Sequence, residues 1–476
     1  MRDIVLALIF IALVPIILRY AWVGIPTLYW VSIMTPQLQT WSFMYAFPAA
    51  MLFAAVTLVA LVFSKDRQPL PVTREMVLLF LLAAYFALTS HFALMRSDAW
   101  DFWIHFMKIL LVTFITPMLV YGERRIIVVL LVITGSLAFF GFKGGIFAIQ
   151  TAGAYRVLGP SGSFLGGNTY IGLAMIMILP LILVSARMFH QRWVEFGIPA
   201  ISRFAIPIGY AGYAVFWLTA IAILATHSRG AFVGLVAVAP LLFLHMKKKI
   251  LMGLVALVAV GVVGVSAPEV LVERWKTIEN YEEDHSAMQR IQTWGVNWNM
   301  AMERPLIGMG FRNNWIGYER WLSYAEFDGG WGIPFSPHSI YFGLLGAHGF
   351  IGLGVYLMLA GFTWLTLNRI RRTARRRTGQ VWLSEYAWAL QVGLTGYLVA
   401  GIFLDVAYFS LFYYFVALAI IMRRELEGAP QKAPIIRQRP RSAYGPREQV
   451  RPASGHLIGA GDRRIPSPLT KSGRNA

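Results

Sequence analysis

Apolar residues along the chain occur in blocks of about twenty, separated by short polar breaks. A helix of about 20 apolar residues crosses a hydrocarbon core about 30 Å thick, whereas core helices of water-soluble proteins are shorter and polar on one side. The pattern therefore predicts an all-α fold, a polytopic integral membrane protein with about 12 transmembrane helices. The predicted helices cover residues 4–19, 43–63, 75–95, 101–120, 126–149, 169–187, 204–226, 230–246, 250–267, 338–366, 384–403 and 406–422.

One apolar segment, residues 21–34, is too short for a regular span and contains Gly24 and Pro26. It is either a thirteenth span or a half-length, re-entrant element. The pattern therefore leaves the topology of the amino terminus open, at 12 or 13 spans.

Loops rich in Lys and Arg alternate with loops that are poor in them. The basic loops lie near residues 65–74, 124–125, 187–203, 247–249 and 369–377. Short basic loops stay in the cytoplasm, so these loops are predicted there. The largest loop on the other side, residues 267–337, is predicted to form a small extracytoplasmic cap with helices at 269–284 and 287–302.

Composition narrows the class of protein further. Of the 476 residues, 57% are hydrophobic, 14% are charged and none is Cys, while the formal net charge is +19. These values exclude a soluble enzyme, a fibrous protein and a disulfide scaffold, and the missing cysteines exclude thiolate metal sites and a Cys nucleophile.

The positive charge comes mainly from the basic loop at 369–377 and from residues 423–476. That last segment is basic and Pro-rich, and is predicted to be a disordered cytoplasmic tail that follows a membrane domain of residues 1–422. We expect the tail to contact anionic membrane lipids rather than RNA, so no nucleic-acid partner is predicted.

Three polar positions stand out on the predicted outer face, because a polar group at a membrane boundary needs a partner or ligand. Arg229 opens a helix after the turn Thr226–Ser228. A cation is disfavoured at a helix N-terminus, so Arg229 either binds a phosphate together with the backbone N–H groups or anchors the helix among lipid headgroups.

The second position, Arg290, lies on a predicted loop helix that carries Trp294. It is either a ligand-binding or a solvated arginine. The third, His338, begins the predicted helix 338–366, where a neutral imidazole can accept a proton near pH 7. Its alternative role is that of a capping or interfacial histidine. The glycines that follow every three residues, at positions 343, 346, 349 and 352, are typical of close helix packing.

Taken together, these residues resemble the O-antigen ligase and polymerase superfamily of bacterial envelope glycosyltransferases. His338-Ser339 is followed by nine residues and then Gly349-Phe350-Ile351-Gly352, which matches the family pattern. The Ser228–Ala231 turn matches the family's first arginine motif, with Val233 where leucine is frequent. Arg290-x-x-x-Trp294 before the run Pro305–Gly310 matches the second. The resemblance covers residues 159–421. The start Met1-Arg2-Asp3 and the region Tyr45–Pro48 are similar to a subgroup of O-glycosylation ligases associated with exosortase A systems.

The resemblance implies an enzyme that moves a glycan from a polyprenyl diphosphate carrier to a hydroxyl acceptor. The acceptor would be lipid A core, a protein or an exopolysaccharide, at the periplasmic face of the bacterial inner membrane. Arg229 and Arg290 would bind the diphosphate, and His338 would be the catalytic base of an inverting, metal-independent transfer without a cofactor.

Several supporting positions are weaker. Asn168 follows a flexible loop and either contacts substrate or caps a helix, and Asp405 either orients His338 or a sugar hydroxyl or pairs with an arginine of another helix. Further candidates are Ser339, Tyr341, Arg156 and Arg312. An oligosaccharide polymerase with a lipid-linked acceptor remains the main alternative function. A transporter or flippase is less favoured because the sequence shows no internal repeat, and a structural scaffold would leave Arg229, Arg290 and His338 unexplained.

Overall fold

A computed structural model describes residues 1–246 and 285–428 of the chain. The predicted helix 250–267, the predicted helix 269–284 and the chain after residue 428 lie outside these described residues. The described helices are α1 (Arg2–Arg19), α2 (Gly24–Met34), α3 (Ala49–Phe63), α4 (Arg74–His91), α5 (Arg96–Leu119), α6 (Glu123–Gln150), α7 (Asn168–Gln191), α8 (Pro199–Ala225), α9 (Arg229–His245), α10 (His285–Glu303), α11 (Tyr318–Leu322), α12 (Ile340–Ala374), α13 (Val381–Ala400) and α14 (Ser410–Gly428).

The described residues form an all-α, multi-pass membrane protein. Seven of their helices are long and apolar enough to cross a membrane: α4, α5, α6, α7, α8, α12 and α13 with its 3₁₀ extension to Phe403. Three shorter apolar helices cover Ala21–Met34, Ala49–Phe63 and Arg229–His245. Within the described ranges no strand is present, and the one β-type contact is a bridge between Gly159 and Gly167. The prediction of about 12 spans stays a prediction.

The centre of the bundle is built around α7, whose residues are buried almost throughout. It packs against α6, α8, α9 and α13, and α13 continues the contact to α12. Helix α12 in turn packs against α4, α14 and the loop helix α10. A helix that is apolar all round is expected in such a central position, because every face contacts protein or lipid.

The short segment after α1 is a half-length element. A 3₁₀ turn (Ala21–Val23) leads into α2, which is almost wholly buried. Tyr29 of α2 stacks on Tyr414 with ring centroids 4.0 Å apart and shares a 2.7 Å hydrogen bond with the hydroxyl of Thr116. The helix ends at Thr35, whose left-handed backbone is followed by Pro36, so α2 stops after 11 residues.

Several predicted helix boundaries differ from those of the structure, and hydrogen bonds explain two of the differences. The helix predicted at 43–63 begins only at Ala49, because Asp3 accepts hydrogen bonds from the backbone N–H groups of Ser42 (3.0 Å) and Met44 (3.3 Å) and holds that stretch in a turn. At the other end, α14 continues past the predicted tail boundary at 423 to Gly428.

Contacts of the polar end of α14 with neighbouring elements explain this extension. Arg424 donates to the carbonyl of Val120 at 3.0 Å, and Glu425 accepts from the backbone N–H of Gly122 at 3.1 Å. Charged residues here are therefore part of the packed bundle.

The predicted continuous helix 338–366 is also wrong in its interior. It begins at Ile340 and is broken at Gly349, whose φ of 64° and ψ of −171° are not helical. The segment after α10 fills the break: the N–H of Phe350 donates to Pro305 (2.8 Å), and the N–H groups of Met309 and Gly310 donate to Gly346 (2.9 Å) and Ala347 (2.8 Å). The two glycine-rich motifs noted in the sequence therefore fold against each other.

Candidate functional site

The turn before α9 is held in place from two sides. Its Ser228 caps the helix by accepting from the N–H of Ala231 at 3.3 Å, and the ring of His227 bonds to the carbonyl of Gly153 at 3.0 Å. Arg229, the first residue of α9, is exposed. The turn thus presents a guanidinium and a helix N-terminus together on a fixed backbone.

Asn168 supports this turn and does not have the predicted capping role. It lies inside the first turn of α7, after Gly167 at the cap position, and no side-chain cap bond forms there. Its amide instead donates to the carbonyl of Thr226 at 3.0 Å. Asn168 therefore fixes the backbone just ahead of Arg229.

The loop helix α10 places Arg290 beside the segment that carries His338. Trp294, one turn after Arg290, donates its indole N–H to the carbonyl of Pro337 at 2.8 Å and stacks on Phe342 with ring centroids 5.1 Å apart. Arg290 is half-buried. Its charge is close enough to His338 to lower the pKa of the imidazole.

His338 precedes the helix instead of opening it. Its φ is 46°, a left-handed value that is uncommon for a residue other than glycine and that occurs where the surroundings fix the backbone. Ser339 is the cap residue of α12, and its hydroxyl accepts from the N–H of Phe342 at 3.5 Å.

The imidazole of His338 is partly exposed, yet its titration is shifted. Desolvation among the surrounding protein atoms, and then the positive charge of Arg290, hold the pKa of His338 below its ordinary value of 6.5. The neutral ring, which can accept a proton, is therefore the prevailing form at neutral pH.

Asp405 lies in the hairpin between α13 and α14 and contacts the same segment. Its carboxylate accepts from the hydroxyl of Ser336 at 2.7 Å. Burial raises the pKa of Asp405, while the Ser336 hydrogen bond and the charge of Arg312 act in the opposite direction. Asp405 thus anchors the side chain of Ser336, two residues before His338, and its carboxylate is also attracted to Arg312 of another element.

Arg312 is the arginine on the far side of Asp405. Its guanidinium lies over the rings of Trp315 (4.1 Å) and Phe102 (4.9 Å). Burial lowers the pKa of Arg312, and the carboxylates of Asp98 and Asp405 counteract that shift. The stacked, carboxylate-flanked position is typical of a structural arginine.

The hairpin after α13 connects the three predicted motifs. Gly230 packs so closely on it that an added Cβ would lie 3.2 Å from Leu404. On the other side, the ring of Trp294 is 6.1 Å from that of Phe403, and an added Cβ on Gly343 would lie 3.1 Å from Asp405. We call residues 228–230, 290–294, 336–339 and 403–405 the rim.

The remaining candidates lie away from the rim or serve packing. Tyr341 donates its hydroxyl to the carbonyl of Leu398 at 2.8 Å, which ties α12 to α13. Arg156 is exposed in the loop before α7. Within residues 1–246 and 285–428, no group of three or more His, Asp or Glu side chains is placed to hold a metal ion.

Sequence reasoning missed Ser336 and the buried residue His348. His348 bonds through its ring nitrogens to the hydroxyls of Thr89 (2.7 Å) and Tyr408 (2.9 Å). Its signal in the sequence was a histidine directly before Gly349, the glycine at which α12 breaks. Ser336 had no signal, because its partner Asp405 is distant along the chain.

Comparison with protein families identifies the part of the chain that carries the rim motifs. Residues 214–357 match the family model described as O-antigen ligase. This stretch of the chain is similar to an O-antigen ligase domain.

The matched stretch contains Arg229, Arg290, His338 and the Gly349–Gly352 motif, and the match confirms the superfamily resemblance. Residues 1–190, which include Asn168, match a family of unknown function, DUF5935. Comparison with curated proteins gives no match. The chain is therefore a multi-pass membrane protein of which residues 214–357 are similar to O-antigen ligases.

Proposed function

We propose that this O-antigen ligase-like protein transfers a glycan from a polyprenyl diphosphate carrier to a hydroxyl acceptor at the rim. The observation that carries the proposal is the pairing of an accessible His338, kept neutral, with Arg290 across the Trp294–Pro337 hydrogen bond. This proximity supports a proposal in which His338 acts as the base and Arg290 binds a phosphate in the same small region.

In the proposed reaction, the acceptor oxygen forms a bond to the anomeric carbon while the bond from that carbon to the phosphate oxygen breaks. The hydroxyl proton passes to the imidazole of His338, and the electron pair leaves with the diphosphate. A single displacement of this kind inverts the anomeric centre.

Arg229 and Arg290 bind the leaving diphosphate in this proposal. A guanidinium presents parallel N–H donors that match phosphate oxygens, and each one about 4 Å from a phosphate charge gains roughly 4 kcal/mol at an effective dielectric constant near 20, before desolvation. The charge that develops on the leaving oxygen is then neutralised where it forms.

Asp405 and Asn168 are positioning residues. Asp405 restrains the His338 segment through Ser336, and Asn168 restrains the Arg229 turn through Thr226. Misplacing a base or a clamp by about 1 Å can cost a hundredfold in rate, so restraints of this type matter for catalysis.

The proposal places the rim at the periplasmic face of a bacterial inner membrane, where lipid A core, a protein or an exopolysaccharide supplies the hydroxyl. If the acceptor is instead a second lipid-linked glycan, the same residues act in a polymerase. Purified protein in vesicles, given one polyprenyl diphosphate-linked glycan and each acceptor in turn, separates these cases. No consumption of the donor with any acceptor would contradict both.

Arg229→Lys tests the diphosphate clamp in the same assay. Lys keeps the charge but loses the planar fork, so we expect kcat/KM to fall roughly 10- to 100-fold, as for loss of a charged hydrogen bond of ~1.5–3 kcal/mol. Arg192→Lys, at the opposite end of α7 from Asn168, is the matched control and should act as wild type. Equal effects in both variants would exclude a specific role for Arg229.

A further inference from the structure

The far end of α12 from His338 carries a concentration of arginines around two adjacent cavities. The larger, of about 430 Å³, is lined by Arg369, Arg372, Arg376 and Arg377 together with Asn368 and Thr373. The smaller, of about 330 Å³, is lined by Arg74, Arg369 and Arg423 with Thr73 and Thr366. Arg369 lines both cavities.

The charge of these cavities is not neutralised by their linings, which contain no acidic residue. Outside the linings, two carboxylates pair with arginines of the smaller cavity, Glu75 with Arg74 at 3.1 Å and Glu427 with Arg423 at 2.9 Å, and these two pairs leave Arg369 and the arginines of the larger cavity for a ligand. Arg369, Arg372 and Arg376 are exposed, so their guanidinium groups can reach a ligand. An anion is the ligand that such a lining attracts.

Another arginine at this end of α12 has a different partner. Arg371 donates to the side chain of Gln391 at 3.5 Å. A loop that served only to set the orientation of the protein would need positive charge but no particular arrangement of it. Here the arginines are divided between the bundle and the cavities.

Apolar side chains directly before the arginines locate the cavities at the edge of the apolar surface. Trp364 and Leu365 are 39% and 48% exposed, and Leu365 also lines the larger cavity. An exposed Trp followed by cationic side chains is typical of the boundary between hydrocarbon and headgroups. Trp364 follows the first residue of α12, Ile340, by 24 positions, so this boundary lies roughly 36 Å along the helix from the rim.

We propose that the two cavities bind the phosphates of an anionic phospholipid, and that a lipid with two phosphates occupies both through Arg369. Its acyl chains lie along Trp364 and Leu365, and its phosphates contact the guanidinium groups. Such a lipid stabilises the joint of α4, α12 and α14 at the end opposite the rim. This inference does not depend on the reaction proposed above.

Binding to the full-length protein in detergent tests the proposal, measured by native mass spectrometry as cardiolipin, phosphatidylglycerol or phosphatidylcholine is titrated. We expect cardiolipin to bind most tightly and phosphatidylcholine least. Arg369→Gln with Arg372→Gln should weaken cardiolipin binding about 30-fold, from ~1 kcal/mol per arginine at a membrane surface. Arg203→Gln with Arg375→Gln removes the same charge from exposed positions outside the cavities and should change binding little.

A second titration with inorganic pyrophosphate tests whether the cavities bind a soluble diphosphate instead of a lipid. If pyrophosphate binds with the same sensitivity to Arg369 and Arg372 while cardiolipin does not, the lipid assignment is overturned. Equal weakening of cardiolipin binding in both double variants would overturn the site itself. Should the first double variant fail to fold, the single exposed change Arg376→Gln replaces it, with Arg375→Gln as its control.

Discussion

Two histidines ten positions apart, one just before α12 and one inside it, show opposite environments. His338 precedes the cap of α12, is partly exposed and has a left-handed backbone. His348 is fully buried directly before the break at Gly349. Its ring stacks on Phe86 with centroids 3.8 Å apart, and its nitrogens are engaged by Thr89 and Tyr408.

The difference separates a candidate base from a structural histidine. A base must reach the proton it removes, which requires an accessible nitrogen. His348 fails that condition because both ring nitrogens already have protein partners, and it ties α4, α12 and the hairpin before α14 together. His338 meets it, since its surroundings fix the backbone and leave part of the side chain in contact with solvent.

The largest expected effect is on activity at His338. Asn tolerates a left-handed backbone well and cannot act as a base at neutral pH, so His338→Asn removes the chemistry with little strain. We expect the rate of glycan transfer to fall roughly 10²- to 10⁴-fold, the usual contribution of a general base. The measurement is turnover of a polyprenyl diphosphate-linked glycan in vesicles.

His91→Asn is the matched control for that experiment, because His91 is an exposed histidine bonded to Arg96 at the end of α4. It should transfer glycan at the wild-type rate. Normal transfer by His338→Asn would show that another group takes the proton.

The next effect concerns stability and is expected at His348. His348→Ala removes a buried ring and leaves the hydroxyls of Thr89 and Tyr408 without their imidazole partner. We expect a loss of about 2–5 kcal/mol in the free energy of unfolding, the range for a large-to-small change in a core with lost hydrogen bonds. Thermal unfolding in detergent, compared with His338→Asn, measures it. If both variants unfold at the wild-type temperature, the buried network does not stabilise the bundle.

Much of the fold was accessible from the sequence because membrane helices follow from local composition. Long apolar blocks predicted the spans, and α10 appeared close to its predicted bounds, 287–302 against the observed His285–Glu303. The errors occurred where a distant partner decides the local structure. Asp3 accepts hydrogen bonds that hold the turn before α3. The segment 305–310 makes the hydrogen bonds at the break of α12 near Gly349. Backbone groups of Val120 and Gly122 bond to the last turns of α14.

The candidate site followed the same rule. Arg229, Arg290 and His338 could be found because each lies in a contiguous motif that contrasts with its apolar surroundings. The restraints on them could not, since Asn168 acts on Thr226 and Asp405 acts on Ser336 across long sequence separations. A prediction from sequence therefore names the reactive groups more readily than the residues that position them.

The smallest expected effect is a shift in the pH dependence of kcat/KM. Its measurement tests whether His338 is the group that titrates. The imidazole accepts a proton only when neutral, so kcat/KM should fall as the pH drops through the pKa of His338 in the free enzyme. Because burial and Arg290 hold that pKa below 6.5, the acidic limb of the profile should lie below pH 6.5. Arg290→Gln removes one of the two causes, so its limb should move to higher pH.

Arg229→Gln is the control that separates this electrostatic effect from loss of diphosphate binding. It removes a proposed clamp residue, while burial and Arg290, the two causes of the His338 shift, remain. We therefore expect a lower rate with the acidic limb at its wild-type position. A limb that stays in place in Arg290→Gln, or that moves equally in both variants, would assign the titration to a group other than His338. If the acidic limb of the kcat/KM profile moves in Arg290→Gln but not in Arg229→Gln, the group that titrates is the accessible His338 and not the buried His348.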